Sequence, residues 1–422
     1  MKSPVTTLWV YADWGPMDAP KMVGTLTAQR VRGKEVFAFE YHEEWLQSKQ
    51  PVLQLDPNLG LYKGKHYVPE GKSNFGIFLD SAPDRWGRLL MRRREALQAK
   101  LERRDERTLF ESDYLTGVFD GHRMGGLRFK LEPDGAFVSS QKNMATPPWT
   151  SLRELEYASL QLEKDDAVKD PQYTKWLGML LDPGASLGGA RPKASVLDEQ
   201  GQLWIAKFPS SNDAKDVGAW ELVLNQLAKA CGIQVPDARL LKFSGKHHTY
   251  LSKRFDRKAE QRVHFASALT LLGYQDGADY HDGLSYLDLV AFIIQHGASV
   301  RADLEQLWRR VVFNILVSNT DDHLRNHGFL LASDGWRLSP AYDMNPNELG
   351  SGLTLNVSES SNDLDLSLAL ETAKHYQLKP DEALKILNDI QREIANWRNV
   401  AKKVGISSQE VEQMKRAFKV TT

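Results

Sequence analysis

Residues Phe313 to Leu330 read FNILVSNTDDHLRNHGFL. Leu304, Leu307, Trp308, Val311 and Ile315 lead into this stretch at helical spacing and predict one apolar helix face. That helix should end near Ser318-Asn319, which leaves Asp321 on a loop with Asn326 five residues later. Read alone, Asp321, Asp322 and Asn326 equally suit helix caps and a polar turn.

The spacing has a chemical reading as well. Phosphoryl transfer needs a carboxylate to orient a hydroxyl and accept its proton, oxygen ligands for magnesium, and donors for the phosphates of ATP. Protein kinases use Asp-x-x-x-x-Asn, with the Asp as base and the Asn as magnesium ligand. Asp321 is thus the candidate catalytic residue and Asn326 a candidate metal ligand. Downstream, Asp334-Gly335 is a two-residue hairpin signal between Phe329–Ala332 and Trp336–Leu338. Pairing Ser333 with Trp336 gives a register in which Asn326 faces Asp343, roughly 5 Å apart. Asp343 is therefore the second candidate magnesium ligand. His323 and His327 stand four apart beside two carboxylates, but a zinc pair at that spacing needs a helix, and Gly328 argues against one.

Upstream, GASLGGARPKAS spans Gly184 to Ser195. Glycines let a backbone turn its N–H groups toward phosphate. Ser186, Gly188, Gly189 and Lys193 are the candidate phosphate-binding residues, although an ordinary glycine-rich turn has the same composition. Strands at Ala194–Leu197 and Leu203–Phe208 follow, and the second carries Lys207 in WIAKF. That is where a kinase lysine on its third strand falls. Glu221, on a helix expected from Val217 to Cys231 with Asp216 as N-cap and Gly232 as stop, is a possible partner for Lys207.

The remainder sets the frame. The first 40 residues alternate as short strands, Trp86–Arg107 reads as a charged helix, and from Leu284 the chain reads as mostly helical apart from the hairpin. The expected fold class is α+β and protein-kinase-like: a β-rich N-terminal lobe with an extra N-terminal module, then a mostly helical C-terminal lobe. The expected boundaries are 1–110, 111–255 and 256–422. Lys plus Arg total 54 against 55 Asp plus Glu, so no global charge draws the chain to nucleic acid or membrane. The single cysteine, Cys231, excludes an intramolecular disulfide and multi-cysteine zinc, and it should be a buried, inert thiol. No run of 18 apolar residues occurs, so no membrane helix is expected and the cytoplasm is the default.

In combination, SLGGARPK at Ser186–Lys193, AKFPS at Ala206–Ser210, KRFDR at Lys253–Arg257, NTDDHLRN at Asn319–Asn326 and LSPAYD at Leu338–Asp343 resemble the HipA family of toxin kinases from bacterial toxin–antitoxin systems. PDRWGR at Pro83–Arg88 and DYLTGVFDGHRMGGLRF at Asp113–Phe129 resemble it too. The resemblance implies an ATP- and magnesium-dependent serine/threonine protein kinase. It makes Asp321 the base, Asn326 and Asp343 the magnesium ligands, and Lys207 a contact to ATP. Lys253 and Phe255 fall in the segment that lines the adenine pocket. Ser186 corresponds to the serine that such kinases autophosphorylate, which inactivates them. Lys253 stands where the family carries an acidic residue, and Asp322 where a member carries glycine. The implied partners are a small helix-turn-helix antitoxin (HipB-like), DNA only indirectly through it, and a protein substrate, an aminoacyl-tRNA synthetase being the known type. No membrane partner is implied. The charged Arg92–Arg107 stripe is interleaved with Glu95, Glu102, Asp105 and Glu106, which favours a solvated face over a DNA contact. Two other readings fit the same residues: a small-molecule kinase, and a non-catalytic kinase-fold partner of an antitoxin.

Overall fold

Alternation in the first forty residues becomes β1 (Val5–Ala12), β2 (Lys21–Val31) and β3 (Lys34–Tyr41). In the computed structural model, which describes residues 5–15, 17–48, 54–140, 146–184, 189, 191–243 and 245–420, these strands open the first of two units. That unit holds Met1–Asn212 with Asp256–Ala266, and the second holds Asp213–Phe255 with Ser267–Thr422. The finer division at residues 110 and 255 remains a proposal about function.

In the first unit β1, β2 and β3 join β4 (Lys65–Tyr67) and β5 (Leu127–Lys130) in an antiparallel sheet of order β4-β3-β2-β1-β5. Leu8, Val10 and Ala12 alternate inward along β1, as period-two patterning requires. Helix α1 (Arg85–Glu102) buries Trp86, Leu90, Met91 and Ala99 and packs on α3 (Tyr173–Gly184), which also packs on α2 (Leu152–Leu162). The charged helix expected to reach Arg107 stops at Glu102. Arg103 turns left-handed (φ 52°), and Arg104 and Arg107 fold back onto the buried carboxylate of Glu95 at 2.5 and 3.3 Å. Strands β6 (Lys193–Leu197) and β7 (Leu203–Lys207) pair antiparallel, Lys193 opposite Lys207. Asp198 closes their turn by accepting from the N–H groups of Gln200 and Gln202.

The second unit begins with α4 (Val217–Ala230), which has the expected ends: Asp216 accepts from the Ala219 N–H at 3.1 Å and Gly232 follows at φ 73°. The hairpin β8 (Ala238–Leu241) and β9 (Thr249–Lys253) follows. Then come α5 (Tyr286–His296) and α6 (Val300–Val317); Leu304, Leu307, Trp308, Val311 and Ile315 of α6 are fully buried. Helix α7 (Pro380–Ile394) packs on α6, and α8 (Trp397–Val404) on α4. Cys231 is buried, which pushes its thiol up to about 12. The class is mixed α+β, with a β-rich first unit and a mostly helical second.

Two local expectations are corrected here. Strands β10 (Gly328–Ala332) and β11 (Gly335–Leu338) pair Ala332 with Gly335 and Phe329 with Leu338, so Ser333-Asp334 forms the turn. This register is two residues off the expected one and does not set Asn326 opposite Asp343. Gly335 is required for a different reason: it sits at φ 150°, and a Cβ there would lie 2.7 Å from the carbonyl oxygen of His296. The glycine serves the approach of β11 to the end of α5, where the Ala298 N–H reaches the Trp336 carbonyl at 2.8 Å. The stretch between β11 and Leu366 is also not helical; hydrogen bonds from side chains and isolated bridges hold it.

Candidate active site

Helix α6 ends at Ser318, which adopts φ 49° and donates its hydroxyl to the Ala417 carbonyl at 2.7 Å. The loop that follows is clamped residue by residue. Asn319 donates to the Asn314 side chain at 3.0 Å and accepts from the Asn345 N–H at 3.0 Å. The Thr320 carbonyl accepts from the Thr354 hydroxyl at 2.8 Å. The Asp321 carbonyl accepts from Asn326 Nδ2 at 2.6 Å. The Asp321 carboxylate itself stays 81% exposed, with His323 Nε2 3.7 Å away. Partial loss of water raises its pKa, Asp343 raises it further and His323 opposes.

Asp322 points the other way, into the unit, and is 1% exposed. Its carboxylate accepts from the Tyr286 hydroxyl and, at 2.7 Å, from the Thr354 N–H. Its carbonyl accepts from His327 Nε2 at 3.2 Å. Burial pushes the Asp322 carboxyl up to about 7, while the two hydrogen bonds oppose the shift. The folded state therefore holds this proton more tightly than the unfolded chain, whose aspartates titrate near ~3.9. The stabilisation is full below about pH 4 and is lost as the pH rises toward 7. His327 has the opposite sign: burial lowers it to about 3, so its contribution is lost as the pH falls from about 6.5 toward 3. Asp322→Asn removes only the first dependence. Between about pH 4 and 7 the stability of the variant relative to wild type should climb, by at most a few kcal/mol on the order of 1.4 per pKa unit. Urea denaturation across that window measures it, and a flat difference refutes the titration of Asp322.

Asp343 lies at φ 58°, a left-handed conformation uncommon for a residue with a Cβ. Its neighbour Tyr342 donates to the Arg325 carbonyl at 2.7 Å and packs on Phe255, ring centroids 5.5 Å apart. Phe255 thus lies beside the Asp343 segment. The Lys253 N–H, at the end of β9, donates to the Asp237 carbonyl at 2.8 Å. Buried Tyr250 is raised well above its usual value, first by burial and then by the charges of Glu221 and Asp343. Within the second unit, Asn326 is thus bonded to the Asp321 backbone, Asp343 is near enough to act on the Asp321 carboxylate, and Glu221 and Asp343 both act on Tyr250, although not through the strand register expected.

In the first unit, Arg191 donates to the Phe208 carbonyl at 3.0 Å and Gly189 is exposed at φ 97°. Lys207 closes β7. Lys193 turns inward: its side chain is 2% exposed and its Nζ lies 2.8 Å from Asp84 Oδ2. Asp84 also caps α1 through the Gly87 N–H at 2.8 Å, and Trp86 Nε1 donates to the Lys193 carbonyl at 3.1 Å. The PDRWGR segment is thus the seat of the glycine loop's exit strand. Ser186 and Gly188 lie outside the described residues. Among the described residues, no group of three His, Cys, Asp or Glu could hold a metal, and no helix is long and apolar enough to cross a membrane. His323 and His327 flank a 3-10 turn, Leu324–Asn326, not an α-helix.

Residues 185–416 match the model of the HipA-like C-terminal domain, more than half of the chain. The chain belongs to the HipA-like family. It is 27% identical over 265 residues to the serine/threonine-protein kinase toxin HipA of Shewanella oneidensis, a match covering 55% of this chain and 59% of that one. A Haemophilus influenzae protein provisionally named a kinase is 28% identical over 180 residues, 38% of this chain and 52% of its own. The chain thus spans between about half and three fifths of the length of these two relatives. Among solved structures, the Shewanella oneidensis complex of HipA, HipB and operator DNA matches with a TM-score of 0.64 at 18% identity, covering 97% of this chain and 94% of that one. The HipA-like fold therefore extends beyond the C-terminal domain to nearly the whole chain.

Three residues that hold these segments, Asp84 in the first unit and Tyr286 and Asn314 in the second, escaped the reading of the sequence. Asp84 is bound to Lys193 but lies 109 positions away. Tyr286 is hidden in an apolar helix, and its partner Asn314 looks like any polar residue on α6. His323, weighed in the sequence only as half of a zinc pair, instead faces the Asp321 carboxylate.

Proposed function

We propose that this HipA-like chain is an ATP- and magnesium-dependent serine/threonine protein kinase, the toxin of a toxin–antitoxin pair. The observation that carries the reading is the loop at Asp321: its backbone is held by Asn326 while its carboxylate stays open to solvent. That is the arrangement a base needs to accept a proton from an incoming hydroxyl. The hydroxyl oxygen forms a bond to the γ-phosphorus of ATP, the bond from that phosphorus to the ADP oxygen breaks, and the hydroxyl proton passes to Asp321. Asn326 and Asp343 fit magnesium: with Asn326 Nδ2 engaged on the Asp321 carbonyl, its Oδ1 is a hard oxygen ligand, and Asp343 supplies a charged one. Held by Asn326 and Asp343, magnesium would supply positive charge to offset that of the phosphates. Lys207 contacts ATP, the Lys253–Phe255 segment lines the adenine pocket, and Ser186 takes phosphate in a self-inactivating reaction. The glycine loop, with Gly188 and Gly189, cradles phosphate. The Shewanella oneidensis complex of HipA, HipB and operator DNA supports a HipB-like antitoxin as partner, with DNA reached only through it. The substrate in this reading is a cytoplasmic protein of the aminoacyl-tRNA synthetase type.

Incubation with magnesium and ATP followed by mass spectrometry tests the activity: phosphate should appear on Ser186. Calorimetry tests the ligands. Asp343→Ala should weaken ATP binding in the presence of magnesium by roughly tenfold or more, since a charged hard oxygen ligand is lost. Without magnesium, variant and wild type should bind alike. No phosphate on any hydroxyl, or equal magnesium dependence in both proteins, counts against the proposal.

A further inference from the structure

The geometry points to Asp322, acting with Tyr286, as a positioning residue that fixes the backbone on which Asp321 is presented. The inference rests on the kinase reading above. Its basis is the way hydrogen bonds are distributed. Among the described residues no hydrogen bond holds the Asp321 side chain, and His323 Nε2 comes no closer than 3.7 Å, so its aim is set mainly by the backbone on either side. On the far side, Asp322 is tied at three points: Tyr286 and the Thr354 N–H on its carboxylate, and His327 on its carbonyl. On the near side, the Thr354 hydroxyl holds the Thr320 carbonyl. Thr354 thus grips both neighbours of Asp321, and Asp322 is what holds the Thr354 amide.

Tyr286 extends the chain. Its hydroxyl accepts from Asn314 Nδ2 at 2.9 Å, Asn314 Oδ1 accepts from Asn319, and Asn319 Oδ1 accepts from the Asn345 N–H. Asn345 stands two residues beyond Asp343. One buried polar chain therefore runs from the Thr354 amide, through the base-bearing loop, to the segment with the proposed metal ligand. Buried hydrogen-bond chains of this kind restrict the arrangements open to their members. Catalytic groups need that precision, because a displacement of about 1 Å costs on the order of 10²-fold in rate.

The test measures ATP turnover with magnesium, ATP affinity by calorimetry, and folding by circular dichroism, for Asp322→Ala, Asp322→Asn and Tyr286→Phe. Asp322→Ala should lower kcat by about 10- to 100-fold with ATP affinity held within a factor of about three. Asp322→Asn keeps an oxygen for the Thr354 amide and should recover most of that loss. Tyr286→Phe should fall between them. Unchanged kcat in a folded Asp322→Ala protein overturns the inference, and so do equal losses in kcat and affinity, which would mean general disruption. If Asp322→Ala does not fold, the other two variants decide, and wild-type kcat in both overturns it. Asp321→Asn is the control: a wild-type rate there would remove Asp321 as the base, whereas absence of turnover in the wild type would count against the kinase reading itself, whatever Asp322 does.

Discussion

Asp321→Asn should lower phosphotransfer by about 10²- to 10⁴-fold while the protein stays folded and ATP binding changes little. The substitution preserves shape but removes the one group at this position able to take a proton. Folding should survive because Asp321 contributes its carbonyl, not its carboxylate, to the structure: Asn326 Nδ2 binds the carbonyl at 2.6 Å, and the side chain is 81% exposed. Loss of a negative charge near Asp343 should weaken magnesium binding only slightly, because Asp343 itself is unchanged. Single-turnover transfer to Ser186, followed by phosphopeptide mass spectrometry, reads the rate directly. A near-wild-type rate would reassign the base, with His323 the next side chain to test because its Nε2 lies 3.7 Å from the same carboxylate.

Much of this arrangement is legible in the sequence where local chemistry decides it. Helix α4 carries its cap at Asp216 and its stop at Gly232, and both act as read. The apolar face of α6 is buried at each position its spacing marks. Asp321, Asn326 and Asp343 belong to one unit, as their closeness along the chain suggests. What escaped is decided by contacts distant in sequence. Gly335 looks like a turn residue, yet its bareness serves the approach of β11 to the end of α5, and the hairpin register stands two residues from the one its turn signal implied. The stretch after β11 lacks periodicity because Asp322, Thr320 and Asn319 hold it through single hydrogen bonds that leave no repeating pattern. Helix α1 stops early because buried Glu95 draws Arg104 and Arg107 back from beyond its end. In the sequence Glu95 is one acidic residue among several on a charged stripe, and nothing local marks it as the buried one.

Lys193→Met should destabilise the protein by about 3–5 kcal/mol near neutral pH, the usual cost of leaving one partner of a buried ion pair behind. Sequence position places Lys193 beside a phosphate-binding loop, where a lysine would meet ATP. Its side chain instead lies 2% exposed against Asp84, which is itself 7% exposed. Burial raises the Asp84 carboxyl, and Lys193 is the largest influence opposing that rise. With methionine in its place, Asp84 must carry its charge without that lysine or take up a proton. Proton uptake limits the penalty, so the loss should shrink as the pH falls toward the ordinary carboxylate range near about 4. The sign follows from the raised pKa: the variant's folded state gains relative stability where Asp84 is protonated and loses it where Asp84 is ionised. Asp84 cannot simply be removed in compensation, because its other oxygen caps α1 at the Gly87 N–H. Urea denaturation at pH 7 and pH 4 separates the two roles open to Lys193. A large loss at pH 7 that narrows at pH 4 identifies it as the lysine that seats β6 on α1. Unchanged stability together with abolished ATP binding in the folded variant would make it a nucleotide contact after all.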